Sequence, residues 1–299
     1  MDKQRKDAVW KDFWAAQNAS SAPAVVSTQW DAITRAQFDV WTDFLREVKG
    51  GAKVLDIATG AGKVLHMMRA TRPDLELYGI DIAQDFPDPP HKTKLVGGVH
   101  MEEMPFDDGQ FDVVVSQFGF EYGDTEAGAK EILRVLHAEG RMAFMVHRGD
   151  GPIVAHNRKR IEQISWLRDE NSLFSRIVEM IPVDSSISQE AYDFAKDLAA
   201  RGERKFGLGS VAWEIPEAVR RTLILGAKGS REKLIGTLDL IEEQAESEVD
   251  RIRSLLVASA AADEREKLLE GFTKQGREAL HCTPVSLSKG EVFADLIVL

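Results

Sequence analysis

Cysteine is almost absent from this 299-residue chain, in which Cys282 is the only one. One cysteine excludes an intramolecular disulfide framework and a cysteine-based zinc cluster, and it fits a reducing compartment. The chain also lacks any uninterrupted apolar run near the roughly 18 residues that a membrane-spanning helix needs. Its first residues are charged and do not form the apolar segment of a signal peptide. We therefore expect a cytoplasmic protein without stable membrane insertion.

Basic residues are in deficit, because 38 Lys and Arg stand against 49 Asp and Glu, a formal net charge of −11. Most of such a surface repels a polyanion, so we expect no nucleic-acid partner. Hydrophobic residues make up 43% and charged residues 29%, as in ordinary folded proteins. This composition excludes collagen and disorder throughout the chain.

Two helices joined by a loop are predicted in the first fifty residues. Residues 3–18 carry Trp10, Phe13 and Trp14 at helical spacing, and the small residues of 19–28 predict a loop. A second helix follows, which Gly50-Gly51 ends. We assign 1–50 to an N-terminal helical lid. The aromatic trio could be part of that lid, a dimer contact or a membrane-surface anchor. Packing of the three rings against the core is the simplest interpretation.

Short apolar segments alternate with helical ones over residues 51–149, the predicted cofactor-binding core. A helix is expected over 126–140, ended by Gly140. Strands and helices in alternation predict a three-layer, doubly wound α/β fold with a mostly parallel sheet. The predicted strands cover 53–58, 75–82, 94–99, 111–118 and 141–147.

Residues 150–281 show helical periodicity, including a long amphipathic helix over 230–261. We interpret them as a helical insertion that forms an acceptor lid or a dimer contact. Residues 282–299 predict strand, turn and strand, a terminal hairpin that completes a seven-stranded core sheet. Cys282, beside the first of these strands, is expected in the core.

The segment DIATGAGK, residues 56–63, suggests a nucleotide loop. An ATP-binding P-loop needs a glycine five positions before its Gly-Lys pair and a serine or threonine after the lysine. The chain has Ile57 and Val64 at those positions. The ATP interpretation therefore fails twice.

A dinucleotide loop fits the same segment poorly. Gly60 and Gly62 match its first two glycines, but Leu65 stands at the third. Asp56 would also repel a pyrophosphate at the start of the following helix, whereas it suits a cofactor with a positive group. The nicotinamide interpretation is weakened but stays open.

Four stretches in order resemble the class I S-adenosylmethionine-dependent methyltransferases, in the group with a ubiquinone-methyltransferase-like core. They are VLDIATGAG (54–62), GIDI (79–82), EEMPFDDGQFDVVVSQFG (102–119) and EILRVLHAEGRMAFM (131–145). The resemblance implies a Rossmann-like fold, S-adenosyl-L-methionine as cofactor and methyl transfer to a small molecule. It also implies an acid and a glycine turn at the amino-acid end of the cofactor, with Asp81 on the ribose hydroxyls.

The chain departs from the family pattern in three places. Ala58 stands where glycine is common, and His100 stands where an aspartate often binds the adenine amino group. Three prolines after Asp81 predict a loop in place of the usual helix. The predicted cofactor-binding residues are Asp56, Ala58, Thr59, Gly60, Gly62, Asp81, Ile82, His100, Met101, Gln117 and Arg35.

Candidate catalytic residues follow the fourth and fifth strands. His147 could act as a general base or be a structural histidine, and Glu121 and Tyr122 could bind the acceptor or begin a helix. Phe118 and Phe120 could line the methyl pocket or pack in the core. The segment 116–124 lacks the Asn-Pro-Pro-Tyr of base- and glutamine-methylating enzymes. We expect metal-independent in-line displacement.

Two other classes of function stay open. One is a methyltransferase that acts on tRNA or protein, and the other is a noncatalytic module that binds S-adenosylmethionine. A nicotinamide-dependent oxidoreductase is the weaker third. A homodimer is compatible with the long amphipathic helix.

Overall fold

The computed structural model of the chain describes Trp10, Lys11, Phe13, Trp14 and residues 28–86, 88–184, 188–226 and 229–299. Of the helix predicted over 3–18, only those four residues belong to the described part, and all four are helical. The loop predicted over 19–28 lies outside the described residues except for Thr28.

Seven strands form one sheet in the order β3-β2-β1-β4-β5-β7-β6. β1 to β5 run parallel, and β7 pairs antiparallel with both β5 and β6. This confirms the predicted fold class, including the hairpin at the sheet edge. The strands are β1 (Lys53–Ile57), β2 (Glu76–Asp81), β3 (Thr93–Gly97), β4 (Phe111–Gln117), β5 (Leu136–His147), β6 (His281–Ser286) and β7 (Val292–Val298).

Nine α-helices accompany the sheet in the described ranges. A 3₁₀ turn, Phe120–Tyr122, follows β4, and a π-helical turn, Trp166–Glu170, follows α4. The helices are α1 (Thr28–Leu45), α2 (Lys63–Thr71), α3 (Thr125–Val135), α4 (Pro152–Ser165), α5 (Leu173–Met180), α6 (Gln189–Phe206), α7 (Val211–Gly226), α8 (Arg231–Asp263) and α9 (Arg265–Thr273). The large helical insertion predicted from the sequence is thus confirmed.

Both faces of the sheet are apolar and covered by helices. Val54 of β1 packs in one cluster with Trp41 of α1 and Met68 of α2. Leu55 packs on the other face with Ile132 of α3, and each buried side chain of this size contributes about 1.5–3 kcal/mol. This layering explains why the strands read as nearly continuous apolar runs rather than as alternating ones.

The helix predicted over 126–140 is wrong at its end. α3 stops at Val135, and β5 begins at Leu136, five residues before the predicted strand. A Cβ on Gly140 would lie 2.6 Å from the Leu136 side chain, so this glycine permits a close turn of the strand and does not end a helix. Because residues 137–139 are exposed, their polar pattern does not distinguish a helix end from a strand extension.

Two other expectations concern loops and the sheet edge. Cys282 is exposed, so its predicted place in the core is wrong. It lies on β6, the outermost strand, whose first four residues are exposed. Between β2 and β3 the structure has no helix in residues 82–86 and 88–92, as the prolines after Asp81 predicted.

The chain divides by its contacts into two compact units, residues 1–155 with 253–299 and residues 156–252. The second unit has its own core, which includes Trp166, Leu198 and Val219. No helix in the described ranges is long and apolar enough to cross a membrane. The predicted division at 50, 149 and 281, and the lid or dimer role of the insertion, stay predictions.

Candidate functional site

The strand order reverses beside β1, so the carboxyl ends of β1 and β4 mark the topological switch point where open α/β sheets bind ligands. The loop after β1 turns sharply there, since Ala58, Gly60 and Gly62 have φ values of 54°, 53° and 72°. The Thr59 amide donates to the Ile80 carbonyl at 2.9 Å, which ties the loop to β2. Gly62 is the N-cap residue that precedes α2.

Ala58 occupies a left-handed conformation that suits glycine. A non-glycine residue costs about 1–2 kcal/mol there. This is the position where the family pattern commonly has glycine. The loop is therefore strained beside the predicted cofactor site.

Ala58→Gly should raise the free energy of unfolding by roughly 0.5–1 kcal/mol, because relief of strain exceeds the entropic cost of glycine. Denaturant unfolding measures it. Ala83→Gly is the matched control, since Ala83 is buried without a positive φ. That change should destabilise the protein, and equal losses for both variants would contradict a strained Ala58.

Asp56, the last residue but one of β1, is a buried acid with one carboxylate oxygen that has no hydrogen-bond partner among the described residues. Asp56 is only 1% exposed, and its Oδ2 accepts a hydrogen bond of 2.6 Å from the Thr59 hydroxyl. Oδ1 is buried without a partner in the described part of the chain. Burial raises the pKa of Asp56 to about 7, the Thr59 bond opposes this, and the charge of Asp81 adds to it. A cation at Oδ1 would satisfy this oxygen and favour the ionised form.

Asp81, at the end of β2, is joined to the same loop. Its Oδ2 accepts from the Gly60 amide at 2.8 Å, and its Oδ1 accepts from the Ala83 amide at 2.9 Å. Burial raises the pKa of Asp81, while these backbone hydrogen bonds lower it. Each oxygen keeps a second lone pair that could accept from a ribose hydroxyl. Ile82 follows directly and is partly buried.

The two candidates after β3 differ in their surroundings. Met101 is buried against Gly123 and Gly128, where added Cβ atoms would lie 2.2 and 3.0 Å from its methyl carbon. His100 is partly exposed, with Nδ1 at 3.9 Å from Glu102 Oε2. Met101 thus packs against the segment after β4, and adenine recognition by either residue stays a prediction.

Gln117 and Arg35, two of the predicted cofactor-binding residues, lie on β4 and α1. Gln117 Oε1 accepts a hydrogen bond of 2.8 Å from the Trp41 indole of α1. Arg35 is exposed on α1. Lys63, a cation that was not among the predicted site residues, comes directly after the glycine turn and donates to Gln37 Oε1 at 2.8 Å. In the sequence, only its place at the end of DIATGAGK pointed to a role for Lys63.

The N-terminal aromatic trio lies against this site. A Cβ on Gly60 would be 2.3 Å from the Trp14 ring, so the indole covers the glycine turn. Trp10 packs edge-on against Tyr122 with ring centroids 5.2 Å apart, and its Nε1 donates to Ser254 Oγ at 3.3 Å. No sequence pattern predicted which surface these rings cover.

Glu121 and His147 form a buried pair across the ends of β4 and β5. Glu121 Oε1 accepts from the His147 amide at 3.0 Å and contacts His147 Nδ1 at 2.8 Å. The Glu121 side chain is 0% exposed and that of His147 is 7% exposed. Glu121 Oε2 is buried without a partner in the described ranges. The sequence suggested both residues but not their pairing.

The aromatic residues after β4 have separate roles. Phe118 stacks on the His147 ring with centroids 4.1 Å apart, and its φ is 57°. Tyr122 meets the same imidazole edge-on at 5.8 Å. Phe120 is fully buried and stacks on Phe144, so it belongs to the core.

No group of three or more His, Cys, Asp or Glu side chains in the described ranges is arranged to hold a metal ion. The expectation of metal-independent chemistry stays a prediction.

The chain matches the methyltransferase domain family over residues 55–144. It is 33% identical over 99 residues to a demethylmenaquinone methyltransferase of Thermotoga maritima, a match that covers 31% of this chain and 42% of that protein. It is 32% identical over 109 residues to a ubiquinone/menaquinone biosynthesis C-methyltransferase of a Geobacter species, over 33% of this chain and 46% of that protein. The chain thus spans less than half the length of these two relatives.

A solved structure of an S-adenosylmethionine-dependent methyltransferase from Aquifex aeolicus is 18% identical, with a TM-score of 0.33 over 39% of this chain and 69% of that one. The family match contains the glycine loop, both strand-end acids and β4, and the sheet has the expected order. Residues 55–144 are therefore similar to a methyltransferase domain, and they lie in a sheet with the doubly wound strand order.

Proposed function

We propose that this protein transfers a methyl group from S-adenosyl-L-methionine to a small-molecule acceptor. The observation that carries the proposal is the unpartnered Asp56 Oδ1, buried beside the glycine turn. A buried acceptor without a partner is uncommon and calls for a ligand that donates to it. The ammonium group at the amino-acid end of the cofactor is such a donor.

The fit extends along the loop. Asp81 could accept from the ribose hydroxyls while it keeps its bonds to Gly60 and Ala83. When bound, S-adenosylmethionine supplies an electrophilic methyl group on a sulfonium. The chain's part is to hold the acceptor in line with that group, and alignment of this kind is worth effective molarities of about 10⁵–10⁸ M.

The names of the relatives support a small acceptor, because they describe methylation of demethylmenaquinone and C-methylation in quinone biosynthesis. The net charge of −11 also disfavours a polyanionic acceptor. We include metal-independent chemistry, a cytoplasmic location and a possible homodimer in the proposal. A macromolecular acceptor is the alternative, and no specific feature of the described residues favours it.

Calorimetric titration with S-adenosylhomocysteine tests the cofactor. The wild type should bind at micromolar concentration, and Asp81→Ala should weaken binding by about 1.5–3 kcal/mol, or roughly 10- to 150-fold. Asp74→Ala is the control, since Asp74 lies before β2, at the amino ends of the strands and away from the predicted cofactor loop, and pairs with Arg72. Wild-type protein that binds NAD or ATP but not S-adenosylhomocysteine would refute the proposal.

A further inference from the structure

The buried pair of Glu121 and His147 has a defined proton arrangement. Glu121 Oε1 accepts the His147 backbone N–H at 3.0 Å and lies 2.8 Å from the ring nitrogen Nδ1. A carboxylate can only accept, so a hydrogen bond between Glu121 as a carboxylate and Nδ1 needs its proton on the nitrogen. Nδ1 of His147 therefore carries the proton. In a neutral imidazole the other nitrogen, Nε2, is then the one with a free lone pair.

The imidazole is also held rigidly in place. Phe118 stacks on one side of the ring at 4.1 Å, and Tyr122 meets it edge-on at 5.8 Å. Phe118 adopts a positive φ of 57°, a conformation that costs a non-glycine residue about 1–2 kcal/mol. Strain of this kind tends to occur where a site fixes a side chain for function.

The pair lies beside the predicted cofactor loop. A Cβ on Gly119, the residue between Phe118 and the 3₁₀ turn, would be 2.6 Å from the Cβ of Ala58. Ser116 of β4 donates to the Ile57 carbonyl at 2.9 Å, which joins the two strand ends. The segment that carries Glu121 thus rests on the loop that carries Asp56.

We propose that His147 Nε2 accepts the proton of the methyl acceptor and that Glu121 is the positioning residue that sets its tautomer. This inference rests on the proposed function and narrows its substrate class. The acceptor's attacking atom must carry a weakly acidic proton, as in a phenol or hydroquinone. Thioethers and tertiary amines, which have no such proton, fall outside the class.

A lone pair of the acceptor oxygen forms the bond to the methyl carbon, and the electrons of the carbon–sulfur bond remain on sulfur. The hydroxyl proton moves to His147 Nε2, and Glu121 stabilises the resulting imidazolium by accepting from Nδ1–H. Solvent later takes the proton. A positioned base contributes about 10²–10⁴-fold to such reactions.

The tautomer is tested by ¹⁵N NMR of the full-length protein labelled at histidine, with assignment by loss of the signal in His147→Gln. In neutral His147, Nδ1 should be protonated and Nε2 unprotonated. Glu121→Gln should keep this tautomer, and Glu121→Leu should give a mixture of the two tautomers. A proton on Nε2 in the wild type would overturn the proposal. This measurement does not depend on methyl transfer.

The second test uses 1,4-dihydroxynaphthalene and 4-nitrophenol as acceptors at mildly alkaline pH. His147→Gln should lower kcat roughly 10²–10⁴-fold with 1,4-dihydroxynaphthalene. It should lower kcat much less with 4-nitrophenol, which is ionised at this pH and needs no base. Glu121→Gln should show a smaller loss with the same contrast. His137→Gln, an exposed histidine on the same strand, should leave both rates unchanged.

Binding of S-adenosylhomocysteine separates the two levels of failure. If the wild type does not bind it, the proposed function fails. If His147→Gln binds it normally and loses equal activity on both acceptors, the histidine is structural and the base assignment fails. A wild type that binds the cofactor but methylates neither probe would overturn the hydroxyl acceptor class.

Discussion

Asp56→Asn is expected to stabilise the protein at neutral pH while weakening its affinity for S-adenosylmethionine. Burial raises the pKa of Asp56 from 3.8 to about 7, so the folded protein holds a proton there that the unfolded chain releases. Stability therefore falls as pH rises from about 4 to about 7, by roughly 3–4 kcal/mol in total. Asparagine keeps the acceptor for the Thr59 hydroxyl and has no proton to lose.

The difference in unfolding free energy between Asp56→Asn and wild type should grow through this pH window and then level off. Denaturant unfolding at half-unit steps from pH 4 to 8 measures it. Affinity for the cationic cofactor should move in the opposite direction. In the wild type it should fall up to about tenfold per pH unit below pH 7, as Asp56 is protonated. In the variant it should be weaker and nearly independent of pH.

Asp112→Asn is a control with the opposite sign. Burial raises the pKa of Asp112, but hydrogen bonds from Lys49 and the Lys53 amide hold it below its ordinary value. Its stabilising contribution is gained as pH rises through the acid range to about 4, so between pH 4 and 8 this substitution should destabilise the protein by a nearly constant amount. Parallel pH curves for Asp56→Asn and wild type would show that Asp56 is not a high-pKa buried acid.

The parts of the fold and site that the sequence predicted are those in which local pattern and burial agree. β1 and β4 are buried on both faces, so their apolar runs were readable without knowledge of their neighbours. Asp56 and Asp81 each follow such a run, and the carboxyl ends of adjacent parallel strands necessarily meet. The glycine loop between them needed only its own residues to be recognised.

The missed features depend on partners distant in sequence. Glu121 and His147 are 26 residues apart, and the register of β4 with β5 decides whether they meet. The end of α3 is set by a strand extension that its polar residues did not reveal. Cys282 is exposed because β6 is an edge strand, and which strand is outermost is a property of the whole sheet. The contact of Trp14 with Gly60 is of the same kind.

Gly60→Ala is expected to have a large effect for two separable reasons. With φ at 53°, a non-glycine residue costs about 1–2 kcal/mol. The added Cβ would also lie 2.3 Å from the Trp14 ring, and such overpacking costs roughly 1–3 kcal/mol. We expect a total loss of about 2–5 kcal/mol in unfolding free energy, with weaker binding of S-adenosylhomocysteine.

A double-mutant cycle separates the two causes. In a Trp14→Ala background the steric clash is gone, so Gly60→Ala should cost only the backbone strain, about 1–2 kcal/mol. Gly62→Ala is the matched control, because its φ is 72° but the nearest atom to an added Cβ, on His66, is 3.9 Å away. Its cost should be the same in both backgrounds. Equal costs of Gly60→Ala with and without the indole would mean that Trp14 does not cover the cofactor loop in solution.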